Sequence, residues 1–239
     1  MVQFLTTIPL PLDLGAKEED YGKGLVFAPV VGLLLGCLLA GAFFLLNAVF
    51  SVRLAAALIV AVYLVLTGGL HIDGLGDTFD GVMSHRSREK ILEIMKDSRV
   101  GTNAVIAIFA VLMLDWLAIS ETDPSNYASV LLLFPVAGRI GSVTCAAVSR
   151  YARSGGGLGK SFIDYCGKTE LAAGLILSAL IFFAVTGAMG LIYVIIPILT
   201  ALMFTAWFGR KIGGATGDVL GAVCELNQML FLLFACAVM

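Results

Sequence analysis

The sequence predicts an all-α integral membrane protein: a polytopic bundle of about seven transmembrane helices, N-terminus cytoplasmic, with short interfacial helical segments. Composition is the first reason. Of 239 residues, 59% are hydrophobic and 13% charged, against about 25% charged in soluble domains. The second is length, since several apolar stretches reach the ~20 residues that a helix needs to cross the hydrocarbon core. The third is the one-sided placement of the basic residues. The ten-residue alternation of a membrane β-barrel is absent. A net charge of −2 gives no surface for nucleic acid, which is not an expected partner.

Taken in order, Phe4 to Leu12 is apolar but short and broken by Pro9 and Pro11, so it reads as an interfacial or re-entrant piece. No basic region precedes an apolar core there, so no cleaved signal peptide is expected. Spans follow at residues 26–48, 53–70, 102–120, 128–148, 171–188, 190–208 and 219–238. The fifth and sixth are separated only by Gly187-Ala188-Met189-Gly190, which reads as a tight turn between antiparallel helices. With seven spans, 13 of the 15 Lys and Arg residues, all but Arg53 and Arg139, share one side. The positive-inside rule makes that side cytoplasmic. One catalytic unit over residues 1–239, embedded in the membrane, is expected, since no repeat, low-complexity tract or appended soluble domain is visible.

The chemistry-bearing residues sit at cytoplasmic helix ends. In His71-Ile-Asp73-Gly-Leu-Gly-Asp77-Thr-Phe-Asp80-Gly81 the three carboxylates are at i, i+4 and i+7, on one face if the second span stays helical. Three like charges at a membrane boundary repel and need a neutralising partner. Hard carboxylate oxygens suit Mg²⁺ or Mn²⁺. The alternative is a solvated acidic helix end, which gives no reason for Leu75 and Phe79 between the acids or for so many glycines. Residues 84–101 place Ile91, Leu92, Ile94 and Met95 at helical spacing among bases, as in an interfacial helix. Asp97 and Arg99 follow.

After the fourth span comes Arg150-Tyr-Ala-Arg153-Ser-Gly-Gly-Gly157-Leu-Gly159-Lys160-Ser161. It falls one glycine short of a P-loop and lacks the strand before it, so a nucleotide-hydrolysing P-loop is rejected. A glycine-rich loop flanked by bases can still hold phosphate oxygens, or be an ordinary connection. Arg139, inside the fourth span, needs an anionic partner: a structural one, the Asp cluster or a substrate phosphate. Asp218 and Glu225, i and i+7 on the last helix with Gly221 between, form a second acidic stripe. His71 and His85 lack ligand-like spacing, so zinc is not expected. The five cysteines, without CxxC spacing, read as small buried hydrophobes.

These motifs resemble the cobalamin synthases (adenosylcobinamide-GDP ribazoletransferases) over nearly the whole chain. The likeness begins at Phe4-Leu-Thr-Thr-Ile-Pro9-Leu-Pro11 and runs through Gly68 to Gly81. It continues in Ile94-Met-Lys96-Asp97-Ser98-Arg99, Arg150-Tyr-Ala-Arg153, Gly157-Leu-Gly159 and Gly214-Ala-Thr216-Gly217-Asp218-Val-Leu-Gly221. Gly76 stands where the family more often has Ala, and Gly138-Arg139 where it often has Ser-Arg; neither removes a charge. The resemblance implies a Mg²⁺-dependent enzyme of a bacterial or archaeal cytoplasmic membrane, its active site facing the cytoplasm. Its substrates would be adenosylcobinamide-GDP and α-ribazole or its 5′-phosphate. It implies metal on Asp73, Asp77 and Asp80, with Asp97 joining the catalytic group and one Asp as base. Arg139, Lys96, Arg99, Arg150 and Arg153 would clamp phosphates, and Asp218 and Glu225 would complete the acidic site or orient ribazole. His71, Ser98, Gly157 and Gly159, inside the matched motifs, are expected at the substrate site. Membrane lipid and other cobalamin-assembly enzymes are the further expected partners.

Two rivals are weighed. A CDP-alcohol phosphotransferase also sets aspartates and glycines on membrane helices, but Asp73-Gly74 is followed by Leu-Gly and Asp80 by Gly81, against that family's pattern. A cation-coupled transporter would place its acids at the midplane, usually on repeated halves.

Overall fold

The computed structural model describes residues 1–11 and 15–239. Its elements are helical throughout, with one isolated parallel bridge between Tyr151 and Ala215 among the described residues. In chain order the helices are α1 (Val2–Leu5), α2 (Glu18–Gly24), α3 (Ala28–Asn47), α4 (Val52–Thr67), α5 (Leu70–Val82) and α6 (Arg88–Ile94). After them come α7 (Thr102–Glu121), α8 (Tyr127–Val148), α9 (Leu158–Asp164), α10 (Lys168–Thr186), α11 (Gly190–Tyr193), α12 (Ile195–Ile212) and α13 (Gly217–Val238). Six helical stretches are long and apolar enough to cross a membrane, and the pair α4 and α5 makes a seventh if it is one broken span. The chain is a polytopic all-α membrane protein.

The second span does not continue straight into the acidic motif. Gly68 and Gly69 both take left-handed backbone (φ 61° and 70°), and α5 leaves α4 at 92°. Glycine adopts that conformation without a Cβ clash and so ends a helix readily. The N-terminal segment then covers the break: the Thr7 amide donates to the Leu66 carbonyl at 2.8 Å and its hydroxyl to that of Val65 at 3.0 Å. Carbonyls left over at a helix end are thereby satisfied where lipid cannot do it. The opening apolar segment is thus a short helix, α1, followed by an extended strap; its last residue, Leu12, lies outside the described residues. The turn expected at 187–190 is present, as a 3₁₀ turn (Gly187–Met189) leading into α11 and α12.

Helix α8 is the hub, packed by α3, α10, α12 and α13. Close approach there comes from glycine. A Cβ on Gly36 would lie 2.4 Å from the Leu132 carbonyl, and one on Gly32 2.8 Å from that of Pro135. Backbone contact of this kind is how membrane helices gain dispersion energy when lipid offers no hydrophobic drive. One apolar core gathers Leu25, Val82, Met95, Phe162 and Val219. A second gathers Leu39, Phe43, Ile59, Phe134 and Phe231. The interfacial helix expected at 84–101 is α6, which buries Ile91 and is tied down by Arg88, donating to the Ala152 carbonyl at 3.0 Å.

Candidate active site

Once past the Gly-Gly break, α5 restores the helical register, so Asp73, Asp77 and Asp80 do share a face. Helix α5 lies against α13 through glycines on both sides. A Cβ on Gly74 would meet the Asp218 carbonyl at 2.7 Å, and one on Gly221 the His71 carbonyl at 3.0 Å. This crossing adds Asp218 to the stripe: Asp73, Asp218 and Asp80 all bear electrostatically on Asp77, with Arg153 opposing them. Arg153 donates to Asp218 Oδ2 at 2.7 Å and to the Met95 carbonyl at 3.3 Å, joining the acidic stripe to the 95–101 segment. Asp73 is exposed, and among the described residues neither it nor Asp77 accepts a hydrogen bond.

Asp80 has a different surrounding. Its two oxygens accept the amides of Gly101 at 2.5 Å and Ala104 at 2.8 Å, capping the start of α7. A carboxylate there also meets the positive end of the helix dipole. It keeps lone pairs for a cation, but part of its work is structural.

The cations separate into groups. Arg99 forks onto Asp97, with its NH2 2.6 Å from Asp97 Oδ2, and this hydrogen-bonded arginine holds the Asp97 carboxyl down at about 2. Lys96 and Ser98 beside them are exposed. Residues 154–157 are also exposed, and Gly157 (φ 139°) precedes α9. A Cβ on Gly159 would touch the Gly217 amide nitrogen at 2.6 Å, which seats α9 on the start of α13. Arg150 departs from the expected clamp. Its Nε donates to the Gly213 carbonyl at 2.9 Å, and it lines a separate groove with Arg210, Val148 and Leu202. The bridge of Tyr151 to Ala215 holds this stretch extended, so Arg150 and Arg153, three apart, leave on opposite sides.

Arg139 and Glu225 also lie elsewhere, between the two cores in a sealed polar layer. Arg139 is fully buried and donates to Gln228 Oε1 at 2.7 Å; Tyr63 OH donates to Glu225 Oε1 at 2.7 Å. Gln228 also donates to Tyr63 OH at 2.9 Å and to Glu225 Oε2 at 3.2 Å. The structure places Arg139 away from the stripe's solvent and on Gln228, with its Nε and Nη2 unpartnered among the described residues, so it is not brought together with the Asp cluster as a phosphate clamp would require. Glu225 does not extend the stripe of Asp218, since two turns further into the bundle it is completely enclosed. His71 stands between the regions, 5% exposed, with Nδ1 3.9 Å from Glu225 Oε1.

Sequence reasoning missed Tyr63 and Gln228, which are neutral, and Asp115, buried in α7 with Oδ1 unpartnered. Asp115 carried a usable signal, a carboxylate inside an apolar span. The fold also brings His71, Cys224 and Glu225 within 4.8 Å of one another, a metal-compatible grouping that sequence spacing hid.

Two carboxylate-bearing regions, one open and one buried, frame the comparison with known proteins. Residues 1–236 match the family model described as cobalamin-5-phosphate synthase. An adenosylcobinamide-GDP ribazoletransferase of Clostridium acetobutylicum is 53% identical over 239 residues, covering 100% of this chain and 95% of the relative. One of Acetivibrio thermocellus is 53% identical over 233 residues (98% and 94%), and one of Caldanaerobacter subterraneus 41% over 235 (98% and 94%). No solved structure matches. On this evidence the chain belongs to the cobalamin-5-phosphate synthase family.

Proposed function

We propose that this chain, an enzyme of the final assembly step of cobalamin, uses the α5–α13 acidic stripe to move the adenosylcobinamide-phosphate group of adenosylcobinamide-GDP. The acceptor is a ribose hydroxyl of α-ribazole or its 5′-phosphate, and GMP leaves. The oxygen–phosphorus bond to the ribose forms as the bond to GMP breaks, and the hydroxyl proton passes to a carboxylate of the stripe. The observation that carries this reading is the charge balance of the stripe: Asp73, Asp218 and Asp80 all act on Asp77, and among the described residues Arg153 is the base that offsets them there. Such a site favours ligands that bring positive charge, or a cation together with phosphates.

Magnesium fits the donor set, which is all carboxylate oxygen and partly open to water, as an ion that keeps several waters requires. Asp73 and Asp77 would hold it, with Asp218 and the free lone pairs of Asp80 beside them. When bound it supplies neutralisation of the charge on the transferred and departing phosphoryl groups. Arg153, oriented by Asp218, is placed to take a phosphate oxygen, and the exposed amides of 154–157 offer further donors. Lys96 and Arg99 sit on the adjoining segment for the outer phosphate. We place the stripe at the cytoplasmic face of a bacterial cytoplasmic membrane, on the side that holds 13 of the 15 basic residues. The test is an assay of detergent-purified protein with both substrates, following cobalamin and GMP together with and without Mg²⁺. Stoichiometric, Mg²⁺-dependent formation of both is expected; turnover in the presence of EDTA would overturn the metal assignment.

A further inference from the structure

Beside the stripe lies a cavity of about 260 Å³ that the phosphate chemistry does not use. Its walls are Phe4, Leu5, Leu25, Leu70, Leu158 and Phe162, and its polar rim includes Asp73 and Asp218. Phe4 and Phe162 hold their ring centroids 4.8 Å apart, with Tyr21 edge-on to Phe162 at 5.7 Å. The N-terminal helix thus has a second task besides leading the strap to the end of α4: it supplies an aromatic wall. At the floor are Ser142 and His71, whose Nδ1 has no hydrogen-bond partner.

We propose that this cavity receives the benzimidazole base of ribazole; the inference rests on the proposed reaction. Three observations select that occupant. The volume falls below the roughly 300–1,000 Å³ of ordinary small-molecule pockets, which suits one compact bicyclic ring and not a corrin. The lining is mostly aliphatic and aromatic, and Ser142 and His71 at the floor are too few to pair the whole amide edge of guanine, whereas a methylated benzimidazole has one free ring nitrogen that one of them can meet. The rim carries two of the stripe's carboxylates, so a ribose joined to a base in the cavity emerges where the phosphorus would be held. Burying the two ring methyls contributes roughly fourfold in binding for each. The wild-type protein should therefore prefer dimethylbenzimidazole riboside to benzimidazole riboside about tenfold in KM.

The test uses Leu158→Trp and Leu70→Trp. Both side chains are at the mouth, 51% and 40% exposed, so the added ring narrows the cavity without overpacking a core. Steady-state kinetics of the purified proteins should show KM for ribazole raised at least tenfold, KM for adenosylcobinamide-GDP within twofold of wild type, and the methyl preference lost. Equal rises for both substrates, a rise for the GDP substrate alone, or no change would each overturn the assignment. Failure of the underlying reaction reading would look different, since the wild-type protein itself would then form neither cobalamin nor GMP. Leu158→Ala serves as the second variant: it widens the mouth and should leave KM for the GDP substrate unchanged while relaxing the preference among bases.

Discussion

The α5 stripe and the Arg139 layer both place charged groups among membrane helices, and they handle the charge in opposite ways. In the layer, Tyr63, Arg139, Glu225 and Gln228 bind one another, and all but Tyr63, at 3%, are fully buried. In the stripe, Asp73 and Asp77 have no hydrogen-bond donor among the described residues, and Arg153 is bound to Asp218. Polar groups in a lipid-embedded fold are stable when internally satisfied. The layer meets much of that condition internally, with Arg139 Nε and Nη2 left unpartnered among the described residues; the stripe instead leaves Asp73 and part of Asp77 open to solvent or to a ligand. The first joins α4, α8 and α13 through buried bonds, and the second presents its carboxylates at the surface.

The comparison can be broken in several places. The largest expected effect is Asp77→Asn, which should lower kcat by a factor of about a hundred to a thousand, the range seen when an electrostatic catalytic group is removed. Its melting temperature in detergent should match wild type, because Asp77 makes no internal bond to lose. Arg139→Met reverses the pattern. It leaves Glu225 without its counter-charge and should cost about 3–5 kcal/mol of stability, visible as a lower denaturation midpoint and reduced yield. Protein that does fold should turn over within about tenfold of wild type. Asp80 lies between the two cases: Asp80→Ala should lose about 1 kcal/mol with the α7 cap as well as activity. Asp80→Asn keeps an acceptor, so most of the stability should return without the activity. The smallest effect concerns pH. Arg99 depresses the Asp97 carboxyl to about 2, so its stabilising contact is complete above the ordinary carboxylate value and fails only as pH falls towards 2. An acid limb of the rate profile between pH 5 and 7 should therefore survive Asp97→Asn unchanged.

Much of this was legible in the sequence because membrane helices announce themselves by length and apolarity. Each of the seven spans is matched by a helix within a few residues at most ends. The stripe was legible because α5 is helical and the i, i+4, i+7 spacing needs nothing else. The 92° turn was less so, although the Gly68-Gly69 pair marks it; a glycine pair in an apolar run can equally serve close packing. The partners of Arg139 were hidden for another reason. Tyr63 and Gln228 are neutral, and what selects them is the α4–α8–α13 packing, which the sequence does not display. Arg150 and Arg153 look equivalent in one motif, and only the extended backbone between them sends one towards the stripe and the other to the Arg210 groove.

The most direct test of the division between open stripe and sealed layer is Mn²⁺ binding followed by electron paramagnetic resonance, with Mn²⁺ standing in for Mg²⁺. The same detergent-purified protein is compared as wild type, Asp77→Asn and Glu225→Gln. The account predicts that Asp77→Asn weakens Mn²⁺ binding at least tenfold while Glu225→Gln binds as wild type does. Loss of binding in Glu225→Gln with retention in Asp77→Asn would contradict it, and would move the metal to the buried grouping of His71, Cys224 and Glu225.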